Sequence, residues 1–351
     1  MKIVGISDLF IPSEYIRDGL KNFKNGSFDF NVLEWKLKDF EELQNINLQI
    51  EKGGLENFKA PGYILEALKN AEIIIAHFYP VTSEIIEHCK SLKIIGILRS
   101  GYENINVGYA TEKGVLVFNT PGRNADAVAD FTIGMMIAEC RNIAKGHHGL
   151  KNGIWIRNYP NSGSIPDLPG KTAGIIGLGE IGRKVAKRLT GFDIEILGYD
   201  PYVKESLENV KMVSLEELFK RSDFVTIHVK AAKETEKMIG EKHFRMMKKN
   251  AYFINTSRAS VVDEQALYKA LKSKMIAGAA LDVFEVEPPG KDYPMVTLEN
   301  VTITPHMAGG SNDAFYNSPK LLAAEISNYL KGTKSRFIVN KELLVNNPPG
   351  H

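Results

Sequence analysis

The chain has little of what would mark it for several large functional classes. Cysteine is scarce: Cys89 and Cys140 are the only two in 351 residues, and they lie far apart. A disulfide framework and a cysteine-based metal module are therefore excluded, and the two thiols fit burial in a reducing compartment. No apolar stretch approaches the roughly 20 residues that span a bilayer. The start, Met1-Lys-Ile-Val-Gly-Ile-Ser-Asp8, has no signal-peptide core, so the expected location is the cytoplasm. Neither sign of charge dominates. A net charge of +2 with 25% charged residues implies neither nucleic acid nor an acidic membrane as partner, and the basic stretch from Lys242 to Lys249 reads as a solvated helix face. Gly-x-Ser-x-Gly and His-Glu-x-x-His are both missing, which argues against a hydrolase, and no spacing suggests a metal. There is no internal repeat and no low-complexity segment.

What the chain does contain is a long alternation of apolar runs and helix-length segments. Strand-like runs fall at Lys2–Ile6, Phe28–Leu33, Glu72–His77, Lys93–Leu98, Val115–Asn119, Ala173–Ile176, Glu195–Tyr199, Phe224–Val229, Tyr252–Asn255, Ala277–Leu281 and Val301–Thr304. Helix-start signals stand between several of them, such as Ser214-Leu-Glu-Glu217 and Asp263 ahead of Glu-Gln-Ala-Leu. Near-continuous apolar strands separated by helices predict α/β architecture with parallel sheets covered on both faces. The length suits two domains. A doubly wound dinucleotide-binding domain over 101–309 is expected to be inserted into a second α/β domain. That second domain would begin with 1–100 and be completed within 310–351 by a returning helix, about Asp313 to Tyr329, followed by a mobile tail from Lys341. One proline-free segment, Asn124 to about Lys151, predicts a single long helix, either buried between domains or packed on a second subunit.

The most informative motif is Gly177-Leu-Gly-Glu-Ile-Gly182. It follows an apolar strand, opens an amphipathic segment and precedes a second strand that ends on Asp200. That acid lies 18 residues beyond Gly182, close to the roughly 20 of a dinucleotide-binding βαβ unit. The first glycine permits a tight turn, the second admits a pyrophosphate against backbone N–H groups, and the third lets helix and strand pack closely. The helix N-terminus adds partial positive charge. Asp200 would accept hydrogen bonds from ribose hydroxyls and repel a 2′-phosphate, which favours NAD over NADP.

Three ionisable residues follow later strands, where ligands of open parallel sheets bind: Arg258 in Asn255-Thr-Ser-Arg258, Glu287 in Asp282-Val-Phe-Glu-Val-Glu287, and His306 in Thr304-Pro-His306. Singly, a histidine after a strand is usually structural and a loop arginine usually solvated. Together beside a nucleotide motif they suggest a site.

With these motifs the chain resembles the D-isomer-specific 2-hydroxyacid dehydrogenases, a family that includes phosphoglycerate, glycerate and hydroxypyruvate dehydrogenases. The likeness runs from about Glu72 to about Ser327. It includes Ser100-Gly-Tyr-Glu-Asn-Ile105, Asn119-Thr-Pro-Gly122, Val262-Asp263, Ala279-Ala-Leu-Asp-Val-Phe-Glu285 and the 29 residues between Arg258 and Glu287. The resemblance implies a Rossmann domain inserted into a flavodoxin-like substrate domain and NAD as cofactor. It further implies hydride transfer between NAD(H) and a D-2-hydroxy acid or its 2-oxo partner. Arg258 would bind the substrate carboxylate, His306 would act as acid and base, and Glu287 would fix its tautomer. Ser100, Gly101 and Tyr102 would hold the carboxylate from the other domain. Gly177, Gly179, Glu180, Ile181, Gly182, Asp200, His228, Val229, Thr256, Asp282 and Gly309 would line the cofactor. A homodimer is the expected assembly.

The sequence also departs from the family pattern. Arg99 and Arg123 stand where many relatives have smaller residues, Asn106 replaces an acid, and Lys230 replaces a proline. The two arginines would either extend positive charge toward a distal phosphate or hydroxyls, or face solvent, and the sequence favours solvent slightly. No regulatory domain is read after Lys341. The same fold also serves NAD-sensing corepressors and scaffolds, which remain the alternative to an enzyme.

Overall fold

Every strand-like run read from the sequence forms a strand in the computed structural model, which describes residues 1–23, 27–205 and 207–346. The chain divides into two units, Met1–Arg123 with Ser311–His351, and Asn124–Gly310.

The first unit is built on five parallel strands: β1 (Lys2–Ser7), β2 (Asp29–Glu34), β3 (Ile73–Ala76), β4 (Ile94–Ile97) and β5 (Leu116–Phe118), in the order β2-β1-β3-β4-β5. This is the flavodoxin-like order. Successive side chains of a strand point to opposite faces, and both faces are apolar here. Ile74, Ala76, Ile95 and Ile97 face a cluster that includes Trp35 and Tyr79. Ile3, Ile73, Ile75 and Ile94 face a cluster completed by Leu322, Ala323 and Ile326 of the helix Asn312–Leu330. The C-terminal segment is thus required to cover a sheet face that would otherwise meet water. Leu343–Asn346 forms a further short helix. Of the tail expected to be mobile, residues 347–351 lie outside the described residues.

The second unit holds seven parallel strands: β6 (Thr172–Ile176), β7 (Glu195–Tyr199), β8 (Lys211–Met212), β9 (Phe224–Ile227), β10 (Tyr252–Asn255), β11 (Gly278–Leu281) and β12 (Val301–Ile303). Their order is β12-β11-β10-β9-β6-β7-β8, the doubly wound arrangement with its switch point between β6 and β9. The helix Glu180–Leu189 buries Gly182, Val185, Ala186 and Leu189, one face at i, i+3, i+4 and i+7 spacing. It shares a cluster with Ala129, Ile133 and Met136 of the helix Ala125–Cys140. The opposite face packs Val225, Ile227, Phe253 and Leu281 against Phe244 and Leu267. Ser214 and Asp263 cap their helices as expected, accepting from Glu217 N–H and Ala266 N–H.

Two expectations are corrected. The first boundary falls after Arg123 rather than at 100/101, because β5 pairs with β4 and the chain cannot leave the first sheet before it. The long helix is two helices, Ala125–Cys140 and Ile143–Lys151, separated by Asn142 at φ 57° and ψ 29°. Asparagine tolerates this left-handed conformation better than most residues. Its amide is held there by donating to Asn161 Oδ1 at 2.8 Å.

Candidate active site

The second unit gathers its chemistry along the carboxyl edge of the sheet. Asp200 follows β7, the glycine loop β6, His228 β9, Thr256 and Arg258 β10, Asp282 and Glu287 β11, and His306 β12. Neighbouring strands lie about 4.8 Å apart, so the three steps from β7 to β10 cover about 15 Å. An elongated ligand can lie across such an edge.

At one end is the glycine loop. Gly177 has φ +89°, and a Cβ there would come within 2.8 Å of the His228 carbonyl group. A side chain at Gly182 would collide with the Gly177 carbonyl oxygen, whereas the space over Gly179 is open. Gly179 is also the N-cap of the helix Glu180–Leu189 and offers no side chain to its first turn, Glu180 and Ile181. The orphan N–H groups and the positive end of the helix dipole therefore suit a phosphate. Asp200 accepts from Leu178 N–H at 2.8 Å and from Tyr202 N–H at 2.9 Å. Its carboxylate shapes the loop while each oxygen keeps acceptor capacity for a hydroxyl. His228 pairs through Nε2 with Thr226 Oγ1 at 3.0 Å, and its buried Nδ1 has no hydrogen-bond partner among the described residues. Burial pushes its pKa down to about 3, so the ring is neutral. Val229 packs close to Gly177, and Thr256 pairs its hydroxyl with Thr132 at 2.7 Å. Gly309 lies against the Asn124 amide, which leaves no room for a side chain.

The other end holds a histidine–carboxylate pair. His306 Nδ1 meets Glu287 Oε2 at 2.7 Å, and Glu287 Oε1 is fixed by Phe284 N–H at 3.0 Å. His306 Nε2 makes no hydrogen bond among the described residues. The histidine adopts φ +50°, a conformation that costs an L-residue roughly 1–2 kcal/mol. Asp282 is what holds the turn. Its fully buried carboxylate accepts from Thr304 Oγ1 (2.6 Å), Met307 N–H (3.0 Å) and Ala308 N–H (2.8 Å). The sequence placed Asp282 beside the cofactor, and its positioning of His306 was missed. The signal was an acid one strand away from a histidine loop. Arg258 is exposed in extended backbone, with Nη1 donating to Ser257 O at 2.7 Å.

In the first unit, Ser100, Gly101 and Tyr102 form the turn after β4. Their N–H groups donate to nothing among the described residues, while Ser100 O accepts from the Asn119 amide at 2.6 Å. The slight preference for Arg99 and Arg123 in solvent is overturned. The Arg99 side chain is 19% exposed and stacks on Phe78 at 4.6 Å. Arg123 stacks on Phe315 at 5.1 Å, and its buried Nη1 has no hydrogen-bond partner among the described residues. Asp8 and His77 beside them were not singled out from the sequence at all.

Comparison with known proteins agrees with this arrangement. Residues 133–308 match the family model for the NAD binding domain of D-isomer specific 2-hydroxyacid dehydrogenases. The chain is 42% identical over 282 residues to a D-3-phosphoglycerate dehydrogenase of Methanocaldococcus jannaschii, covering 79% of this chain and 53% of that one. It is 39% identical over 292 residues to a glyoxylate reductase of Korarchaeum cryptofilum, covering 82% and 88%. It thus spans about half the length of that phosphoglycerate dehydrogenase. Among solved structures, the NAD-complexed D-isomer specific 2-hydroxyacid dehydrogenase of Lactobacillus delbrueckii ssp. bulgaricus shares the fold, with TM-score 0.77, 23% identity and coverage of 97% of this chain and 100% of that one. With two parallel-sheet α/β domains, a glycine loop suited to NAD and these relatives, the chain belongs to the D-isomer-specific 2-hydroxyacid dehydrogenase family of NAD-dependent oxidoreductases.

Proposed function

We propose that the protein interconverts a D-2-hydroxy acid and its 2-oxo acid, with Arg258 binding the substrate carboxylate and the His306–Glu287 pair moving the proton. The observation that carries this reading is the His306 ring, tied through Nδ1 to Glu287 and unpaired at Nε2, on the same sheet edge as the open glycine loop. NAD(H), when bound, supplies or accepts the hydride. In reduction His306 Nε2–H donates its proton to the carbonyl oxygen, and in oxidation Nε2 takes the hydroxyl proton back. Glu287 keeps the other nitrogen protonated and the ring oriented. Arg258 offers a planar, permanently charged fork that matches a carboxylate in a bidentate way. In the first unit, the N–H groups of Ser100, Gly101 and Tyr102, which donate to nothing among the described residues, suit a carboxylate as well. Gly177, Gly179, Glu180, Ile181 and Gly182 cradle the pyrophosphate, Asp200 takes the adenosine ribose, and His228, Val229, Thr256, Asp282 and Gly309 border the cofactor.

The working form is a homodimer in the cytoplasm. Support for the dimer comes from Ile143, Leu150, Ile154, Trp155, Ile156 and Ile165, large apolar side chains exposed in one stretch of the second unit, with Trp155 78% exposed. An isolated monomer rarely leaves such a run uncovered, and a second copy of the chain is the economical cover. Among the described residues no helix is long and apolar enough to cross a membrane.

The test is NADH consumption with glyoxylate, hydroxypyruvate and 3-phosphohydroxypyruvate. Turnover of any of these supports the reading. Failure with all three, while NADH still binds, would leave the sensing role of the fold. NADH should be preferred over NADPH, and Asp200→Ala should weaken that preference. Tight NADPH binding by the unaltered protein would remove Asp200 from that role.

A further inference from the structure

The loop that carries Glu287 leaves β11 at Asp282 and is held at its root by groups that the proton transfer above does not name. One anchor is the buried ring of Phe284, which lies edge-on to Tyr293 with the centroids 5.9 Å apart. The other is Glu285 N–H, which donates to Glu264 Oε2 at 3.0 Å and to the Tyr293 hydroxyl oxygen at 3.2 Å. Tyr293 O–H closes the triangle by donating to Glu264 Oε1. Burial, and then the Glu264 carboxylate, push the Tyr293 pKa up, so the phenol keeps its proton and stays the donor.

Glu264 stands on a firm base. It is the first residue of the helix Glu264–Lys272, whose N-cap Asp263 accepts from Ala266 N–H at 3.1 Å. Asp263 N–H in turn donates to Ile239 O at 2.8 Å, and the helix buries Ala266, Leu267, Ala270 and Leu271. A carboxylate in the first turn of a helix is also favoured by the dipole.

The clamp and the reacting pair meet in adjacent peptides. Phe284 N–H donates to Glu287 Oε1, and Glu285 N–H, one residue on, donates to Glu264 Oε2. Two adjacent peptide planes are joined only by the φ and ψ of the residue between them. With the second plane pinned to Glu264 and the Phe284 ring buried, the first has little freedom. That first plane fixes Glu287, whose other oxygen meets His306 Nδ1 at 2.7 Å. The contacts thus run from Glu264 through two backbone N–H groups to Glu287 and His306, all within the second unit.

We infer that Glu264 and Tyr293 are positioning residues for proton transfer: they set the backbone that orients Glu287 and, through it, the His306 ring. This rests on the function proposed above, in which the His306–Glu287 pair moves the proton. A role confined to stability would not depend on which residue stands at 287.

Glu264→Ala should lower kcat about tenfold, a misplacement effect, with KM and NADH binding within about twofold of the unaltered enzyme. Glu264→Gln keeps an acceptor for Glu285 N–H, while the Tyr293 hydroxyl can turn to accept from the new amide. It should recover most of the loss. The same Glu264→Ala change made in Glu287→Gln should lower kcat by less than about twofold, because the group it acts through is already lost. An equal loss in both backgrounds, or an undiminished kcat in Glu264→Ala alone, overturns the positioning role. Should Glu264→Ala fail to fold, Tyr293→Phe keeps the ring against Phe284 and carries the same cycle with a smaller first loss. A further readout needs no substrate: the His306 Nδ1–H proton, bonded to Glu287, gives a downfield NMR signal identified by its absence in His306→Ala. Glu264→Ala should shift or broaden it, and an unmoved signal overturns the role whatever the rates. A signal that moves in a protein turning over no 2-oxo acid would keep the positioning and remove the dehydrogenase reading. Turnover by the unaltered protein with the signal unmoved in the variant would do the reverse.

Discussion

His306 and Glu287 meet at 2.7 Å with side chains 46% and 36% exposed, whereas His77 and Asp8 meet at 3.0 Å with 0% and 1% exposed. The chemical pair is the same, and the surroundings assign it different work. In the second unit the pair stands at the rim of a sheet edge, with one ring nitrogen unpaired and a backbone strained to present it. In the first unit the pair is sealed among Phe10, Phe78 and Phe315, and its carboxylate accepts from Phe10 N–H, Ile11 N–H, Phe78 N–H and His77 Nδ1. A histidine that must exchange protons with a substrate needs access and a free nitrogen. A histidine that must hold an arginine, as His77 Nε2 holds Arg123 Nη2 at 3.5 Å, needs neither.

The largest effect should come from emptying the exposed pair. His306→Ala is expected to lower kcat by about 10² to 10⁴, the range for losing a general acid, while NADH binding followed by fluorescence titration persists. Turnover within a few-fold of the unaltered enzyme would take the proton-transfer role from His306. The buried pair would then be the only one with a stated function, and the comparison would fail.

The same isosteric change made in each pair sharpens the contrast. Asp8→Asn places an amide where two donors, Phe78 N–H and His77 Nδ1–H, expect an oxygen. The cost should be about 3 kcal/mol of stability, read as a lower midpoint of thermal unfolding. Glu287→Gln should cost little stability, because the side chain is exposed. Its effect should instead be a fall in kcat of about ten- to a hundredfold through the freed tautomer of His306. If Asp8→Asn left the midpoint in place, or if Glu287→Gln lowered the midpoint and not kcat, the division of labour would be wrong.

How far each pair could be read from the sequence follows from the same contrast. The glycine loop was legible because its requirement is local: Gly177 needs φ +89°, Gly182 touches a carbonyl five residues away, and both constraints recur at fixed spacing. Arg258, Glu287 and His306 were legible as polar residues just past apolar strands and through the family motifs that contain them. The fold followed from the apolar runs, apart from β8, whose two residues Lys211 and Met212 carry no apolar pattern. The break at Asn142 was hidden because no proline or glycine marks it. The Asp8–His77–Arg99–Arg123 cluster was hidden for a different reason. Its members come from four strand ends, with 69 residues between Asp8 and His77 and 46 between His77 and Arg123. Only the strand order brings them together. Arg99 and Arg123 were noticed as departures from a family pattern, and nothing in a one-dimensional reading says that such residues are half-buried against aromatic rings.

The smallest effect concerns a third histidine, His228, which is half-buried with its Nδ1 atom enclosed and, among the described residues, pairs with no carboxylate. Its folded pKa is about 3, against about 6.5 for an unfolded chain. Between those values the unfolded ring binds a proton that the folded ring refuses. The stability that His228 contributes is therefore complete above about pH 6.5 and is lost as pH falls, by at most about 1.4 kcal/mol per pH unit. His77, also held below its ordinary value by burial, acts in the same direction. Asp8, whose folded pKa is lowered, adds its own loss only as pH falls below about 4, the unfolded carboxylate range. A window from about pH 6 to pH 4.5 thus isolates the imidazoles from that carboxylate. His228→Asn should flatten the fall in unfolding midpoint across this window by one group's share, because asparagine does not titrate. An unchanged slope would mean that the unpartnered Nδ1 of His228 reaches water in the folded protein, and that burial alone does not separate the silent histidines from the working one.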